Sequence, residues 1–181
     1  YLLTLLLKHA TKSYTKPLCL MRQKTELIPK FSKIMQKKTQ KKIIIISSLL
    51  IFIMSFTQNA ISANGYDGIK YYSSLATFLS GGFGVLGGAF YEWLIWLANP
   101  IFFVAIYLFV KDKKKSKNLS LLAVIIGLIF TQWKEILANE GGTKIPIISL
   151  DIGYWLWIIS FVIFYIGTLI YFSKGKTELK K

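Results

Sequence analysis

Charged side chains fall in blocks along this chain, and the stretches between the blocks are long, apolar and nearly free of charge, as in Ile43 to Phe56, Ala89 to Val110 and Gly153 to Phe172. A backbone inside a bilayer must satisfy its own polar groups, so such stretches point to membrane helices separated by anchoring charges. Composition agrees: 54% of residues are hydrophobic, 15% are aromatic, the mean hydropathy is +0.49, and the formal net charge is +15. These values exclude a disordered chain and fit poorly with an ordinary soluble domain of 181 residues.

Counting removes several chemistries. The chain has one histidine, His9, and one cysteine, Cys19, both within the N-terminal basic region. A zinc site built from His and Cys needs three or four such ligands, haem needs an axial ligand at its pocket, and a structural disulfide needs two cysteines. Histidine acid/base chemistry and a cysteine nucleophile within the membrane domain go with them. No cofactor, metal site or catalytic residue is expected, and the protein reads as non-enzymatic. The basic excess does not point to nucleic acid either, because Arg22 is the single arginine among 23 basic residues, and base-edge and bidentate phosphate recognition favour arginine.

Residues 1–42 carry 11 basic residues against one acid, Glu26, and read as a basic cytoplasmic tail or as upstream translation, with Met21 and Met35 as candidate starts. From Met35 onward Lys37, Lys38, Lys41 and Lys42 precede an apolar core of 14 residues, and Gln58 to Ala63 supply small and polar residues. That is the form of a secretory signal peptide. Continued through Ala63, the same helix reaches a length that crosses a bilayer core of about 30 Å, so 43–63 is either a cleaved signal or a retained anchor.

Residues 64–88 read as an outer glycine-rich interfacial segment. A phosphate loop there lacks the Lys-Ser or Lys-Thr that would complete it, and Ser80, Gly84 and Gly88 recur at the four-residue spacing of close helix packing. Three further spans are expected at about 89–110, 119–137 and 153–172. Lys111 to Lys117 forms a basic loop between the first two, Asn139-Glu140-Gly141-Gly142 forms a turn, Glu140 and Asp151 are solvated loop acids, and 173–181 is a basic tail. Placing the N-terminus, the 111–117 loop and the C-terminus in the cytoplasm puts 20 of the 23 basic residues on that side and leaves Lys70, Lys134 and Lys144 on the other.

The polar residues within the spans mark where function would sit. Glu92, Trp96, Asn99 and Phe103 share one helical face, and Pro100 removes an amide donor, freeing a carbonyl that a neighbour, a side chain or water must satisfy. Glu92 and Lys134 lie at similar depth and are candidates for an ion pair. Glu92, Trp96, Asn99, Pro100, Gln132, Lys134 and Glu135 together outline a candidate intramembrane polar pocket facing outward. The five tryptophans, Trp93, Trp96, Trp133, Trp155 and Trp157, map to the outer half and suit interfacial anchoring.

Trp96-Leu97-Ala98-Asn99-Pro100, Asn139-Glu140-Gly141-Gly142 and Gly153-Tyr154-Trp155-Leu156-Trp157 resemble landmarks of small, uncharacterised multi-pass inner-membrane proteins of bacteria. The similarity covers roughly residues 64–172. It implies the bacterial plasma (inner) membrane and brings no catalytic residue. The sequence therefore predicts an all-α integral membrane bundle of four transmembrane helices, or three if the first is a cleaved signal peptide. Its expected role is an accessory, assembly or envelope-associated subunit that binds lipid, partner helices or a second copy of itself. The alternatives are a small oligomeric transporter or channel past Glu92, Asn99 and Pro100, and a carboxylate enzyme acting on lipid-linked substrates.

Overall fold

The computed structural model describes residues 35–138 and 142–177, the last four of these as backbone alone. His9, Cys19, Met21, residues 139–141 of the expected turn, and Lys180 and Lys181 lie outside the described residues. The chain divides into two units, Tyr1–Gln40 and Lys41–Lys181. In the first, residues 35–40 are helical.

The fold is mixed α/β. Helix α1 (41–55) leads into a hairpin of β1 (Asn59–Gly65) and β2 (Gly68–Ser73), followed by α2 (Ser74–Gly81), α3 (Phe90–Trp96), α4 (Ala98–Val110) and α5 (Lys115–Ile129). A 3-10 turn at Phe130–Gln132 then gives way to β3 (Glu135–Leu137), β4 (Lys144–Leu150) and α6 (Ile152–Thr177). The strands form one sheet in the order β2-β1-β4-β3, and each adjacent pair is antiparallel.

This corrects the all-α bundle that the sequence predicts. Among the described residues, two segments, Phe90–Val110 and Ile152–Ser173, are long and apolar enough to cross a membrane, rather than four, and a four-stranded antiparallel sheet stands where none is expected. The first apolar core stops at Ser55 instead of continuing to Ala63, and Asn59 to Gly65 becomes a central strand. Its Ile61, Ser62 and Ala63, which have the look of a cleavage site, are all buried. The expected 119–137 span begins earlier, at Lys115, and ends at Ile129, and its last residues form β3. The expected loop before the last helix is β4.

Local chemistry explains these departures. Gly65 pairs with Gly68 across Tyr66 and Asp67, and Gly68 has φ of 114°, the left-handed backbone that a tight hairpin asks of glycine. Trp133 is extended at ψ 135°, so the chain leaves the helical path there and the Lys134 carbonyl accepts from Ile147 N–H at 2.8 Å. Asp151, expected as a solvated loop acid, instead accepts from the Ser62 and Ser149 hydroxyls while its own N–H donates to the Ala60 carbonyl at 2.9 Å. One side chain thereby fastens β1 and β4 to the start of α6.

Two cores result. Among the helices, Phe52 of α1, Phe102 and Phe109 of α4, and Phe161 and Phe164 of α6 pack as interleaved rings, with Phe102 and Phe161 centroids 4.5 Å apart. Small residues let the backbones approach: Ala98, Ala105, Ser116, Ala123 and Ser160 are all buried, and the Ser116 hydroxyl donates to the Ala105 carbonyl at 2.8 Å. Between the sheet and the helix ends lies the second core, built on Ile61, Ala63, Ile95, Phe130, Ile136, Ile145, Tyr154 and Ile158. At the end away from the sheet, Lys41 pairs with Asp112 at 2.7 Å, and the Tyr171 hydroxyl donates to the same carboxylate at 2.7 Å. That cluster joins α1, the α4–α5 turn and α6.

Gly153 sits where α6 meets the hairpin. A Cβ there would lie 2.6 Å from the Asn59 carbonyl oxygen and 2.1 Å from the Ser74 hydroxyl, and a backbone atom cannot swing away. Gly153→Ala should lower stability by about 1–3 kcal/mol, read as a lower melting temperature in detergent. Gly127→Ala should cost less, because the nearest atom, Ile158 Cδ1 at 2.5 Å, is the end of a flexible side chain. Equal losses at the two positions would contradict this packing.

Candidate functional site

The end of α1, strands β1 to β3, and α2, α3, α4 and α6 converge on a cavity of about 330 Å³. Its wall is mostly apolar and aromatic, from Phe56, Ile61, Phe78, Ile95, Phe130, Ile136, Tyr154 and Trp157. Polar groups are few, which is the character of small-molecule sites in general.

One end of this wall is built by Pro100. It is the third residue of α4 and has no N–H to give the Trp96 carbonyl, so the helix breaks at Leu97. The Asn99 side chain takes over, its Nδ2 donating to that carbonyl at 3.0 Å. The other end of the same amide, Oδ1, accepts from Trp157 Nε1 on α6 at 2.8 Å. Asn99 is 4% exposed and both ends of its amide are engaged. Trp96 in turn sends its indole N–H to the Phe78 carbonyl on α2 at 2.7 Å. Gly81 and Gly82 admit this ring, since a Cβ on Gly81 would lie 2.5 Å from Trp96 Cδ1. Part of the glycine-rich segment is therefore explained by one indole, and α2 stops at Gly81, so no helix carries the spacing of Ser80, Gly84 and Gly88.

Of the residues singled out in the sequence, Glu92, Trp96 and Asn99 line the cavity together. Pro100 acts behind the wall, through Asn99. Gln132, Lys134 and Glu135 are not in the lining: Gln132 donates to the neighbouring Thr131 hydroxyl, and Lys134 and Glu135 are exposed at the start of β3. Glu92 does not pair with Lys134. Its Oε1 accepts from the Leu137 backbone N–H at 3.1 Å, tying α3 to β3. Trp96 and Trp157 are cavity walls with internal hydrogen bonds, whereas Trp155 is outside the lining and exposed, its indole N–H donating to the Leu150 carbonyl at 3.2 Å.

Sequence reasoning missed Ser74 and Gly153. Ser74 is 8% exposed, lines the cavity, and its hydroxyl has no hydrogen-bond partner. A buried hydroxyl left unpaired is costly, about 1–3 kcal/mol. The available signal was the Ser73-Ser74 pair: Ser73 caps α2, its hydroxyl accepting from Ala76 N–H at 3.1 Å, and that fixes Ser74 as the first helical residue. Nothing in the sequence says that this residue faces a cavity. Among the described residues, no group of three or more His, Cys, Asp or Glu side chains is placed to hold a metal ion.

Asn99→Leu keeps the volume and removes both ends of the amide, leaving the Trp96 carbonyl and the Trp157 indole N–H without partners. It should destabilise the fold by about 2–5 kcal/mol and shift tryptophan emission. Unchanged melting and emission would show that the amide does not hold this corner. No family model, curated protein or solved structure matches this chain, so what the site can do follows from its own geometry.

Proposed function

We propose that this chain is a multi-pass protein of the bacterial plasma membrane that works without catalysis, as an accessory or envelope-associated subunit holding lipid or another amphiphile in its cavity. The observation that carries the membrane part is a belt of exposed apolar side chains around the helices. Ile43, Ile46, Leu50 and Ile53 on α1, Val104 and Tyr107 on α4, Ile125 and Ile129 on α5, and Ile166 and Ile170 on α6 are each between 45% and 61% exposed. Only a third of each long apolar segment is buried within the chain. The core helix of a soluble protein is mostly buried, and a contiguous apolar surface of this extent is what lipid covers.

The charge pattern supports an orientation. Lys111, Lys113, Lys114, Lys115 and Lys117 are all exposed at the end opposite the sheet, and lysine-rich flanks stay cytoplasmic, which puts the sheet and the cavity outside. The position of β1 supports retention of the first helix. Cleavage after Ala63 would remove Asn59 to Ala63, most of the strand that joins β2 to β4. Binding is favoured over conduction by what lies beneath the cavity: Phe102, Phe161 and Phe164 are 0% exposed and fill the space a path past Asn99 would need.

Cysteine labelling in intact cells tests the reading, in a Cys19→Ser background. Tyr66→Cys at the hairpin tip, where Tyr66 is 79% exposed, should react with an impermeant maleimide directly. Lys114→Cys should react only after permeabilisation, and the protein should stay with membranes through an alkaline wash. The reverse labelling, or release by the wash, would overturn the proposal. The intact mass should retain residues 43–63, and a mature protein starting near Asn64 would refute retention.

A further inference from the structure

We infer that the cavity is a site for a single-chain amphiphile bearing a protonated primary amine, with the ammonium at Glu92 and the apolar chain along the aromatic wall. This rests on the proposed function and deepens it by naming the ligand. Three observations carry it. First, the space of about 330 Å³ is at the small end of ligand pockets, suited to one alkyl chain and too small to enclose both chains of a two-chain lipid.

Second, the polar groups that line it differ in what they have left to offer. The Asn99 amide and the Trp96, Trp157 and Tyr154 donors are all engaged, Tyr154 with the Gly127 carbonyl at 2.8 Å. The Thr77, Ser55 and Ser80 hydroxyls donate to the Ser73, Phe52 and Ala76 carbonyls at 2.9, 2.6 and 2.8 Å. Glu92 holds one backbone amide through Oε1, and Oε2 remains as an acceptor. Among the described residues it is the one charged residue in the lining. A carboxylate in an apolar wall favours a cation over a neutral head and repels another carboxylate, and charge-assisted hydrogen bonds are about twice as strong as neutral ones.

Third, an ammonium has three N–H donors and no acceptor, which matches a carboxylate oxygen that can only accept.

The test uses the full chain in phosphatidylcholine nanodiscs, with decyl chains brominated at their far end and bearing an ammonium, a hydroxyl or a carboxylate. Bromine quenches the indoles it reaches, and Trp96 and Trp157 line the cavity. The ammonium chain should bind at least about tenfold more tightly than the other two. Glu92→Gln should abolish that preference, because it removes the charge and keeps an oxygen for the Leu137 amide. Comparing wild type and variant with the same chain cancels partition into the bilayer. Glu135→Gln, outside the lining, should change nothing. Melting of each variant in the nanodisc checks its fold, and a variant that fails is replaced by Glu92→Asp, which should retain the preference for the ammonium.

Equal binding of the three chains, or a preference that survives Glu92→Gln, overturns the inference. No quenching in protein that has entered nanodiscs also overturns it and leaves the membrane reading intact, whereas failure to enter nanodiscs counts against the membrane reading. Adding phosphatidylethanolamine to the discs separates the two sources of the chemistry. Competition assigns the site to the aminated headgroup and adjoining chain of a bilayer lipid, and its absence assigns it to a free alkylamine.

Discussion

The carbonyl of Trp96 has lost its helical donor to Pro100, and the arrangement around the cavity depends on how that loss is made good. A buried carbonyl left unpaired costs about 1–3 kcal/mol, so the chain must find it a partner. The Asn99 side chain does so from the adjacent position, and its remaining oxygen reaches across to Trp157. A local backbone defect thereby becomes a tertiary link between α4 and α6. On the α3 side of the break, Glu92 bonds to β3 and Trp96 to α2.

The two cores divide the work. Below Asn99 the phenylalanine layer closes the bundle with rings in edge and stacked contact, which leaves no room for solvent or solute. Above it the sheet lies over the helix ends, and the space between is not filled. Glycines are spent where rings and backbones come close, at Gly81 against Trp96 and at Gly153 against Asn59. The cavity that remains between sheet and helix ends is mostly apolar and aromatic, and its described lining carries one carboxylate and one unpartnered buried hydroxyl.

Much of the candidate site was legible in advance. Glu92, Trp96 and Asn99 were placed on one face by helical spacing, and they do meet in one cavity despite the break at Leu97, because the break is confined to a single residue. Gln132, Lys134 and Glu135 were assigned to the same pocket on the premise that the helix continued to Leu137. Gln132 instead ends the 3-10 turn, and once the chain turns extended at Trp133, Lys134 and Glu135 are exposed while Ile136 and Leu137 line the cavity. Ser74 was invisible because its role is set by what it lacks.

Apolar periodicity and the blocks of lysine determine, from sequence alone, where long helices run and which end of the molecule is basic, since both follow from transfer free energies that each residue carries with it. The signal behind Asn59 to Gly65 and Lys144 to Leu150 is weaker. Short strands of small and β-branched residues read equally as a signal-peptide end or a loop until a partner strand supplies the hydrogen bonds, and that partner lies more than eighty residues away in Ile61 with Leu150. Only the tertiary structure decided that these segments form a sheet, and that the sheet roofs a cavity, because pairing and enclosure belong to the assembled chain and to no single stretch of it.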